Sequence, residues 1–228
     1  MTAGVIKATV NTGLTSARVR ERMVERVREL GIRDARVLAA LLAVPRHLFV
    51  DAAFASRAYD DCALPLGYGQ TISQPYIVAR TAELALGSMA EPRSARVLEI
   101  GTGSGYAAAV FAQLFGVVFS VERVRALHER ARSNLRPLRL ANLRLALVDG
   151  ANGLPSEAPF DAIIAAAAGT QMPSSWHDQV AASGVVVAPM GGEHQQLSVL
   201  SRDKKGRWTC RKIEPVRFVP MLSGVIDG

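Results

Sequence analysis

The chain has 228 residues, 49% of them hydrophobic and 21% charged, which is the composition of a folded globular domain and excludes a disordered chain. Its net charge is +7, but acidic residues are interspersed among the arginines, and this favours a solvated basic surface over a nucleic-acid or membrane partner. No apolar run approaches the roughly 18 residues of a membrane span, and we find no secretory signal.

Cysteine and histidine residues are too scattered to indicate a metal site or a disulfide framework. Cys62 and Cys210 lie far apart in the sequence, and none of the four histidines has metal-ligand spacing. Reduced thiols are typical of proteins of the cytosol. We therefore predict a cytoplasmic protein that binds no metal.

Two helices are predicted near the start of the chain. Residues 1–15 are small, polar and aperiodic, and we expect a flexible lead-in there. From Ser16 an apolar stripe at helical spacing predicts a helix that stops at Gly31. The next helix opens with Asp34 as its N-cap and ends before Pro45. The apolar residues of the two helices are Val19, Met23, Val24, Val27 and Leu30, followed by Val37, Leu38, Leu41 and Leu42.

A stretch rich in proline, glycine and polar residues follows. Residues 63–76 read A-L-P-L-G-Y-G-Q-T-I-S-Q-P-Y, and the prolines and glycines predict a series of turns. A helix is predicted from Pro75 to Leu86, because proline is favoured in the first helical turn. Ser73 or Gln74 then lies at or next to the N-cap of that helix.

Strand and helix patterns alternate in the remainder of the chain. Strands are predicted at 97–100, 117–122, 143–148, 162–165 and 185–188, with helices at 106–115 and 123–135. Residues 195–201 and 209–218 predict a final pair of strands. The alternation predicts an α/β fold: a Rossmann-like, doubly wound, mostly parallel sheet with helices on both faces. Extra N-terminal helices and a C-terminal antiparallel strand pair complete the predicted fold.

The stretch V-L-E-I-G-T-G-S-G-Y at residues 97–106 indicates a ligand site. Gly101, Gly103 and Gly105 allow positive φ and let the backbone approach a nucleotide-like ligand at the start of a helix. The spacing differs from the dinucleotide fingerprint G-x-G-x-x-G. The carboxylate of Glu99, two residues before the first glycine, would repel a phosphate and attract a cation. S-adenosylmethionine, an adenosyl nucleoside with a sulfonium and an ammonium, fits that pattern.

Acidic residues also end the next two predicted strands. Glu122 stands 21 residues after Gly101, close to the ~20 at which an acid meets ribose hydroxyls. Asp149 and Gly150 follow the third strand, where a short acid can accept from an adenine amino group and the glycine leaves room for the ring. Three acids in register behind the glycines favour an S-adenosylmethionine site.

Taken together, these residues resemble the protein-L-isoaspartate O-methyltransferase family, from about Ser16 to Val225. The family's cofactor motif matches residues 97–106, and its G-Q-T-I-S-Q-P-Y segment is intact at 69–76. Further matches are V-P-R-x-x-F at 44–49, R-A-Y-x-D-x-A-L-P at 57–65, P-F-D-A-I-I at 159–164 and V-R-F-V-P at 216–220. Departures from the family pattern are Val148, the alanines at 165–168 and Met190.

The resemblance implies one methyltransferase domain over residues 16–228, with a helical, substrate-side elaboration at 16–90 and a Rossmann-like core at 91–228. It implies methyl transfer from S-adenosylmethionine to the free α-carboxylate of L-isoaspartyl residues, after which the ester closes to a succinimide and repair begins. A carboxylate (pKa ~4) is already ionised at neutral pH, so the reaction needs no general base. The expected partners are isoaspartyl-containing proteins and peptides, without nucleic acid or membrane, and the expected state is a monomer.

The residues and the resemblance together assign the candidate site. Ser73 is expected to be the catalytic residue, as a hydrogen-bond donor that orients the carboxylate and not as a covalent nucleophile. The residues expected to bind the cofactor are Thr71, Ile72, Glu99, Gly101, Thr102, Gly103, Glu122, Asp149 and Gly150. Those expected to bind the substrate are Gln70, Thr71, Ser73 and Val219.

Alternatives stay open at this point. By spacing alone, Ser73 is equally an ordinary N-cap serine. The charge of +7 makes a nucleic-acid methyltransferase the alternative function, although four alanines stand where an Asn/Asp-Pro-Pro-aromatic motif would be and neither cysteine has a Pro-Cys setting. A non-catalytic S-adenosylmethionine-binding scaffold is the third possibility, and the intact 70–73 segment argues against it.

Overall fold

The computed structural model describes residues 17–87, 89 and 91–227, so the lead-in expected at residues 1–15 lies outside the described residues. The helices are α1 (Ala17–Glu29), α2 (Ala35–Ala43), α3 (Pro75–Leu86), α4 (Tyr106–Ala112), α5 (Arg125–Leu135) and α6 (Ser174–His177). The strands are β1 (Leu64–Gly67), β2 (Gln70–Ile72), β3 (Arg96–Ile100), β4 (Val117–Glu122), β5 (Leu143–Leu147), β6 (Phe160–Ala165), β7 (Val180–Met190), β8 (Gln195–Arg202) and β9 (Trp208–Val216).

The two N-terminal helices form where the apolar pattern predicts them. The carboxylate of Asp34 accepts a hydrogen bond from the backbone N–H of Arg36 at 2.9 Å, so Asp34 is the N-cap of α2. The predicted apolar stripe is wrong at its last member: Leu30 follows the end of α1 and is 50% exposed. Leu42 in α2 is also exposed.

The segment predicted as turns contains a β-hairpin. Strands β1 and β2 pair antiparallel, with Leu64 opposite Ile72. Gly67, Tyr68 and Gly69 between them all have positive φ, which the two glycines adopt without strain. The structure thus corrects the turn assignment, while helix α3 has the predicted bounds.

The seven-stranded sheet has the order β5-β4-β3-β6-β7-β8-β9. Strands β3 to β7 pair parallel, and β8 and β9 continue antiparallel. The predicted mostly parallel sheet with a C-terminal antiparallel pair is confirmed. One core cluster packs helices α1 to α5 on one face of the sheet, and a second cluster with Trp176 of α6 covers the other.

The described residues were compared with the requirements of a membrane span, a metal site and a disulfide. In the described part of the chain, no helix has the length and apolar character to cross a membrane. The same residues contain no group of three or more His, Cys, Asp or Glu placed to hold a metal ion. Cys62 and Cys210 are free thiols.

Candidate active site

A cavity of about 560 Å³ opens at the carboxyl ends of β3, β4 and β6, where ligands bind in open α/β sheets. Its walls come from distant parts of the chain. Strand β2 and the two residues before α3 (residues 70–74) form one side of the cavity. The glycine loop (residues 101–105) forms another side through residues 101–104. A C-terminal strap (residues 217–227) crosses over the cavity and contributes residues 217–222 to its lining.

The glycine loop has a backbone that other residues would strain. Gly101, Gly103 and Gly105 have φ values of +96°, +54° and +89°. The N–H groups of Gly101 and Thr102 both donate to the carbonyl of Val121, at 2.8 and 3.1 Å, which fixes the loop to strand β4. A Cβ on Gly105 would lie 2.8 Å from Leu135 Cδ1. The loop therefore presents bare backbone to the cavity, as expected for a nucleoside site.

Glu122 joins the glycine loop to the end of β4. Its Oε2 accepts from the backbone N–H of Gly103 at 2.8 Å, and its Oε1 accepts from those of Arg123 and Val124 at 2.9 and 3.0 Å. A carboxylate has about four acceptor positions, so one remains for a ligand hydroxyl on the cavity side. This arrangement fits the ribose-binding role expected for Glu122.

Glu99 is not among the residues that line the cavity, and its expected contact with the cofactor stays a prediction. The side chain is 1% exposed and accepts a hydrogen bond from the hydroxyl of Ser120, its partner on β4. Ser120 in turn bonds the Thr102 hydroxyl at 2.6 Å, and Thr102 does line the cavity. Burial raises the pKa of Glu99 to about 8, which favours a neutral carboxyl. Through Ser120, this carboxyl is connected to Thr102 of the glycine loop.

Asp149 and Gly150 are neighbours in sequence but have different surroundings in the structure. Gly150 lines the cavity, and a Cβ there would lie 2.4 Å from Ile100 Cγ2, so the position requires glycine. Asp149 is not among the residues that line the cavity, and its expected contact with an adenine amino group stays a prediction. Its Oδ1 accepts from the N–H of Ala151 at 2.9 Å, and its Oδ2 accepts from that of Gly224 at 2.7 Å. Asp149 thus holds the strap over the cavity.

Ser73 lies between β2 and α3 and faces the cavity. The N-cap of α3 is Gln74, and the Ser73 hydroxyl makes no hydrogen bond to another described residue. Ser73 is therefore not an ordinary N-cap serine, and its hydroxyl is free to meet a substrate. Few helix donors accompany it, because Pro75 has no N–H and the N–H of Tyr76 donates to Asp61 at 2.8 Å.

The other expected contacts also reach the cavity. The remaining site residues found in its lining are Gln70, Thr71, Ile72 and Val219. The N–H of Ala168 donates to the carbonyl of Val219 at 2.8 Å, which attaches the strap to the chain after β6. Of the departures from the family pattern, only the alanines enter the site, through Ala166 and Ala167.

Sequence reasoning missed a polar cluster at the edge of the cavity. The hydroxyl of Tyr76 donates to Glu214 at 2.9 Å, and Arg80 pairs with the same carboxylate at 3.0 Å. Burial and the bond to Glu214 raise the pKa of Tyr76 to about 12, so its hydroxyl keeps its proton. No local signal connects Tyr76 to a residue 138 positions away; the contact exists only because β9 folds beside α3.

The sheet, the glycine loop and the strand-end carboxylate define the class of the protein as an S-adenosylmethionine-dependent methyltransferase. A family model described as protein-L-isoaspartate(D-aspartate) O-methyltransferase (PCMT) matches residues 18–225. The chain belongs to this family. Its activity is accordingly that of a protein-L-isoaspartate O-methyltransferase, and the predicted family, fold, function and cofactor are confirmed.

Similar proteins support this assignment along most of the chain. A protein-L-isoaspartate O-methyltransferase of Burkholderia cenocepacia (strain HI2424) is 55% identical over 216 residues, which cover 93% of this chain and 69% of that protein. One of Ralstonia nicotianae is 50% identical over 229 residues, covering 94% and 71%.

Two solved structures are similar to this fold. A protein-L-isoaspartate O-methyltransferase superposes with a TM-score of 0.80 and 28% identity, over 90% of this chain and 67% of that chain. A second structure is that of a Plasmodium falciparum protein described as a putative protein-L-isoaspartate O-methyltransferase, solved in complex with S-adenosyl-L-homocysteine. It superposes with a TM-score of 0.78 and 23% identity, over 89% of this chain and 98% of that chain, which supports the fold.

Proposed function

We propose that this chain methylates the free α-carboxylate of L-isoaspartyl residues inside the 560 Å³ cavity, and that Ser73 orients this carboxylate for the transfer. The observation that carries the proposal is the Ser73 hydroxyl, which bonds to no other described residue and shares one cavity with the glycine loop. A hydroxyl with no other hydrogen bond can donate to a carboxylate oxygen and orient it. Gln70 and Thr71 on one side and Val219 of the strap on the other would hold the peptide backbone around it.

The cofactor would lie along the glycine loop. Gly101, Thr102 and Gly103 would contact it through backbone atoms, and Glu122 would accept from a ribose hydroxyl through its remaining acceptor position. Gly150 leaves room for the nucleobase, and Ile72 would pack where the two reactants meet. Bound S-adenosylmethionine supplies an electrophilic methyl group.

The residues around the substrate have only to bind and orient it. The acceptor carboxylate (pKa ~4) is ionised at neutral pH, so no residue needs to remove a proton from it. Ser73 fixes one oxygen so that the other can approach the methyl group in line, and the strap excludes water from the cavity. The transfer leaves S-adenosylhomocysteine. The ester then closes to a succinimide without further help from the protein: the amide nitrogen that follows the isoaspartyl residue attacks the ester carbonyl, and methanol leaves.

We also propose that the protein acts as a monomer on isoaspartyl proteins and peptides in the cytoplasm. The two free thiols are compatible with a reducing compartment. Light scattering at micromolar concentration would measure the mass, and a value near twice 24.4 kDa would contradict the monomer.

The decisive experiment measures methyl incorporation from labelled S-adenosylmethionine into an isoaspartyl peptide beside its normal aspartyl twin. We expect label in the isoaspartyl peptide alone, in a base-labile form as expected for an ester. Equal labelling of the two peptides, or of neither, would contradict the proposed reaction. Duplex DNA and RNA in parallel reactions serve as controls, since label in either would revive a nucleic-acid substrate.

A further inference from the structure

Arg46 is a fully buried arginine beside the active site, with 0% exposure. Its guanidinium donates three hydrogen bonds to backbone carbonyls: Nε to Ala58 at 2.8 Å, Nη1 to Ser73 at 2.8 Å and Nη2 to Cys62 at 3.1 Å. No carboxylate in the described part of the chain forms an ion pair with it. Burying a cation that forms no ion pair is costly, although the nearby carboxylate of Asp61 favours its charged form.

The same guanidinium also contacts the glycine-loop side of the site. Its central carbon lies 4.9 Å from the centroid of the Tyr106 ring, within the range of a cation–π contact. Tyr106 directly follows Gly105 as the first residue of α4, and its side chain is buried. Phe49 packs edge-on against this ring, with the centroids 5.7 Å apart. Arg46 therefore contacts the residue that orients the substrate and the helix that extends the glycine loop.

We propose that Arg46 is a positioning residue that sets the place of Ser73 relative to the glycine loop, and thereby the alignment of carboxylate and methyl group. This inference rests on the proposed role of Ser73. The planar guanidinium fork presents its N–H groups in fixed directions while its face stacks on an aromatic ring, and a lysine ammonium can do neither. Because misplacement of a reacting group by about 1 Å can cost about 10²-fold in rate, a small shift of the Ser73 backbone would be measurable.

The test is Arg46→Lys, which keeps the charge and loses the fork. We expect kcat for the isoaspartyl peptide to fall about 10²-fold, counted per S-adenosylmethionine-binding site, while the Kd for S-adenosylmethionine changes less than about threefold. A purely structural role would lower the number of binding sites and leave kcat per site unchanged. That outcome would overturn the inference.

Arg96→Lys is the matched control, because Arg96 also stacks on a ring, Phe119 at 5.1 Å, and also donates to a carbonyl, that of Glu157. Neither Glu157 nor Phe119 lines the cavity, so Arg96 contacts no residue of the site through these bonds, and its variant is expected to keep the wild-type kcat. A loss of kcat in Arg96→Lys as large as in Arg46→Lys would overturn the inference, since the effect would then belong to any stacked arginine.

Arg46→Gln is a second variant in case Arg46→Lys does not fold. It removes the buried charge and keeps an amide that can donate to part of the carbonyl set, and we expect the same loss of kcat per site. If neither variant folds with saturating S-adenosylmethionine present, Arg46 is a structural residue and the inference is wrong.

Ser73→Ala separates this inference from the proposed function. We expect Arg46→Lys to reduce kcat much less in the Ser73→Ala background than in the wild type, because both changes act on one contact. If Ser73→Ala leaves kcat unchanged, the proposed function fails. If Ser73→Ala lowers kcat and Arg46→Lys in folded protein does not, only the positioning role fails.

Discussion

The two halves of the active site are built in different ways. The glycine loop and Glu122, which line the cavity, come from one continuous strand-loop-helix-strand unit and are tied together by hydrogen bonds to backbone groups. The substrate side combines residues 70–74 with the polar cluster at Glu214 and the C-terminal strap, which lie about 140 residues further along the chain. The cofactor half is thus a local structure, whereas the substrate half depends on distant segments meeting.

Replacing Ser73 gives the largest expected effect and acts on the substrate half alone. Ser73→Ala removes a hydroxyl that bonds no other described residue, so the free energy of unfolding should change little. We expect kcat to fall about 10²-fold or more, as when one oriented donor is lost, with the Kd for S-adenosylmethionine kept within about twofold. Calorimetry and peptide turnover measure the two quantities. Ser94→Ala, at an exposed turn, is the control. An equal loss of S-adenosylmethionine affinity and kcat in Ser73→Ala would contradict the division of the site into a substrate half and a cofactor half.

Replacing Glu122 should produce the opposite pattern. Glu122→Gln places an amide group against three backbone N–H donors and weakens the loop on the cofactor side. The Kd for S-adenosylmethionine should rise roughly 10- to 100-fold, corresponding to about 1.4–2.8 kcal/mol, and kcat at saturation should fall much less. Glu157→Gln, at an exposed ion pair, is the matched control. An unchanged Kd in Glu122→Gln would show that this carboxylate does not hold the cofactor loop.

Gly105→Ala tests how tightly the glycine loop is packed. The added Cβ would lie 2.8 Å from Leu135 Cδ1 at a φ of +89°, and we expect a loss of about 2–3 kcal/mol in the free energy of unfolding. Gly206→Ala has a similar φ of +77° with no atom within 4 Å of the new Cβ, so it carries the backbone strain alone. Urea unfolding of both proteins isolates the packing part, and equal losses would mean that the loop tolerates a side chain there.

The buried carboxyl of Glu99 should make stability depend on pH. Its pKa is raised from the ordinary 4.5 to about 8 in the folded protein, so the folded state holds more protons than the unfolded state between these values. The contribution of Glu99 to the free energy of unfolding is therefore greatest below about pH 4.5, falls as pH rises towards about 8, and is constant above that. Glu99→Gln should lose this slope, which unfolding at pH 5, 7 and 9 would measure. The same slope in both proteins would contradict the assignment to Glu99.

The smallest expected effect concerns the strap. Arg123 donates to the carbonyls of Gly224 and Ser223 at 2.8 and 3.1 Å, and Arg123→Ala should release this part of the strap. We expect dissociation of S-adenosylmethionine to accelerate a few-fold, because exposed polar contacts contribute about 1 kcal/mol or less. Arg125→Ala, which breaks a more exposed pair with Asp227, should have a smaller effect. Stopped-flow rates that rank the two variants in the reverse order would contradict the role given to Arg123.

Local patterns were sufficient wherever neighbouring residues decide the structure. Pro75 and Gly87 mark the ends of α3 correctly, and Asp34 caps α2 as expected, because helix ends are determined by the few residues around them. The buried parallel strands β3 and β4 follow from continuous apolar runs. The glycine spacing likewise predicts the cofactor, because it is a property of residues that are neighbours in the sequence.

The structure departs from the sequence expectations where segments meet: residues 64–72 form a β-hairpin, Leu30 is exposed, and Glu99 and Asp149 bond to other protein groups. Glu99 and Asp149 have the residue type and position of cofactor ligands, yet one is buried against Ser120 and the other holds Gly224, 75 residues away. Arg46 and residues 216–220 entered the sequence analysis only as family motifs, and Glu214 gave no signal, because their partners are distant along the chain. Sequence pattern thus defined the elements and the cofactor class, through short-range preferences of the backbone. Which carboxylates reach the cavity, and what holds Ser73 in place, depended on long-range packing that only the folded chain contains.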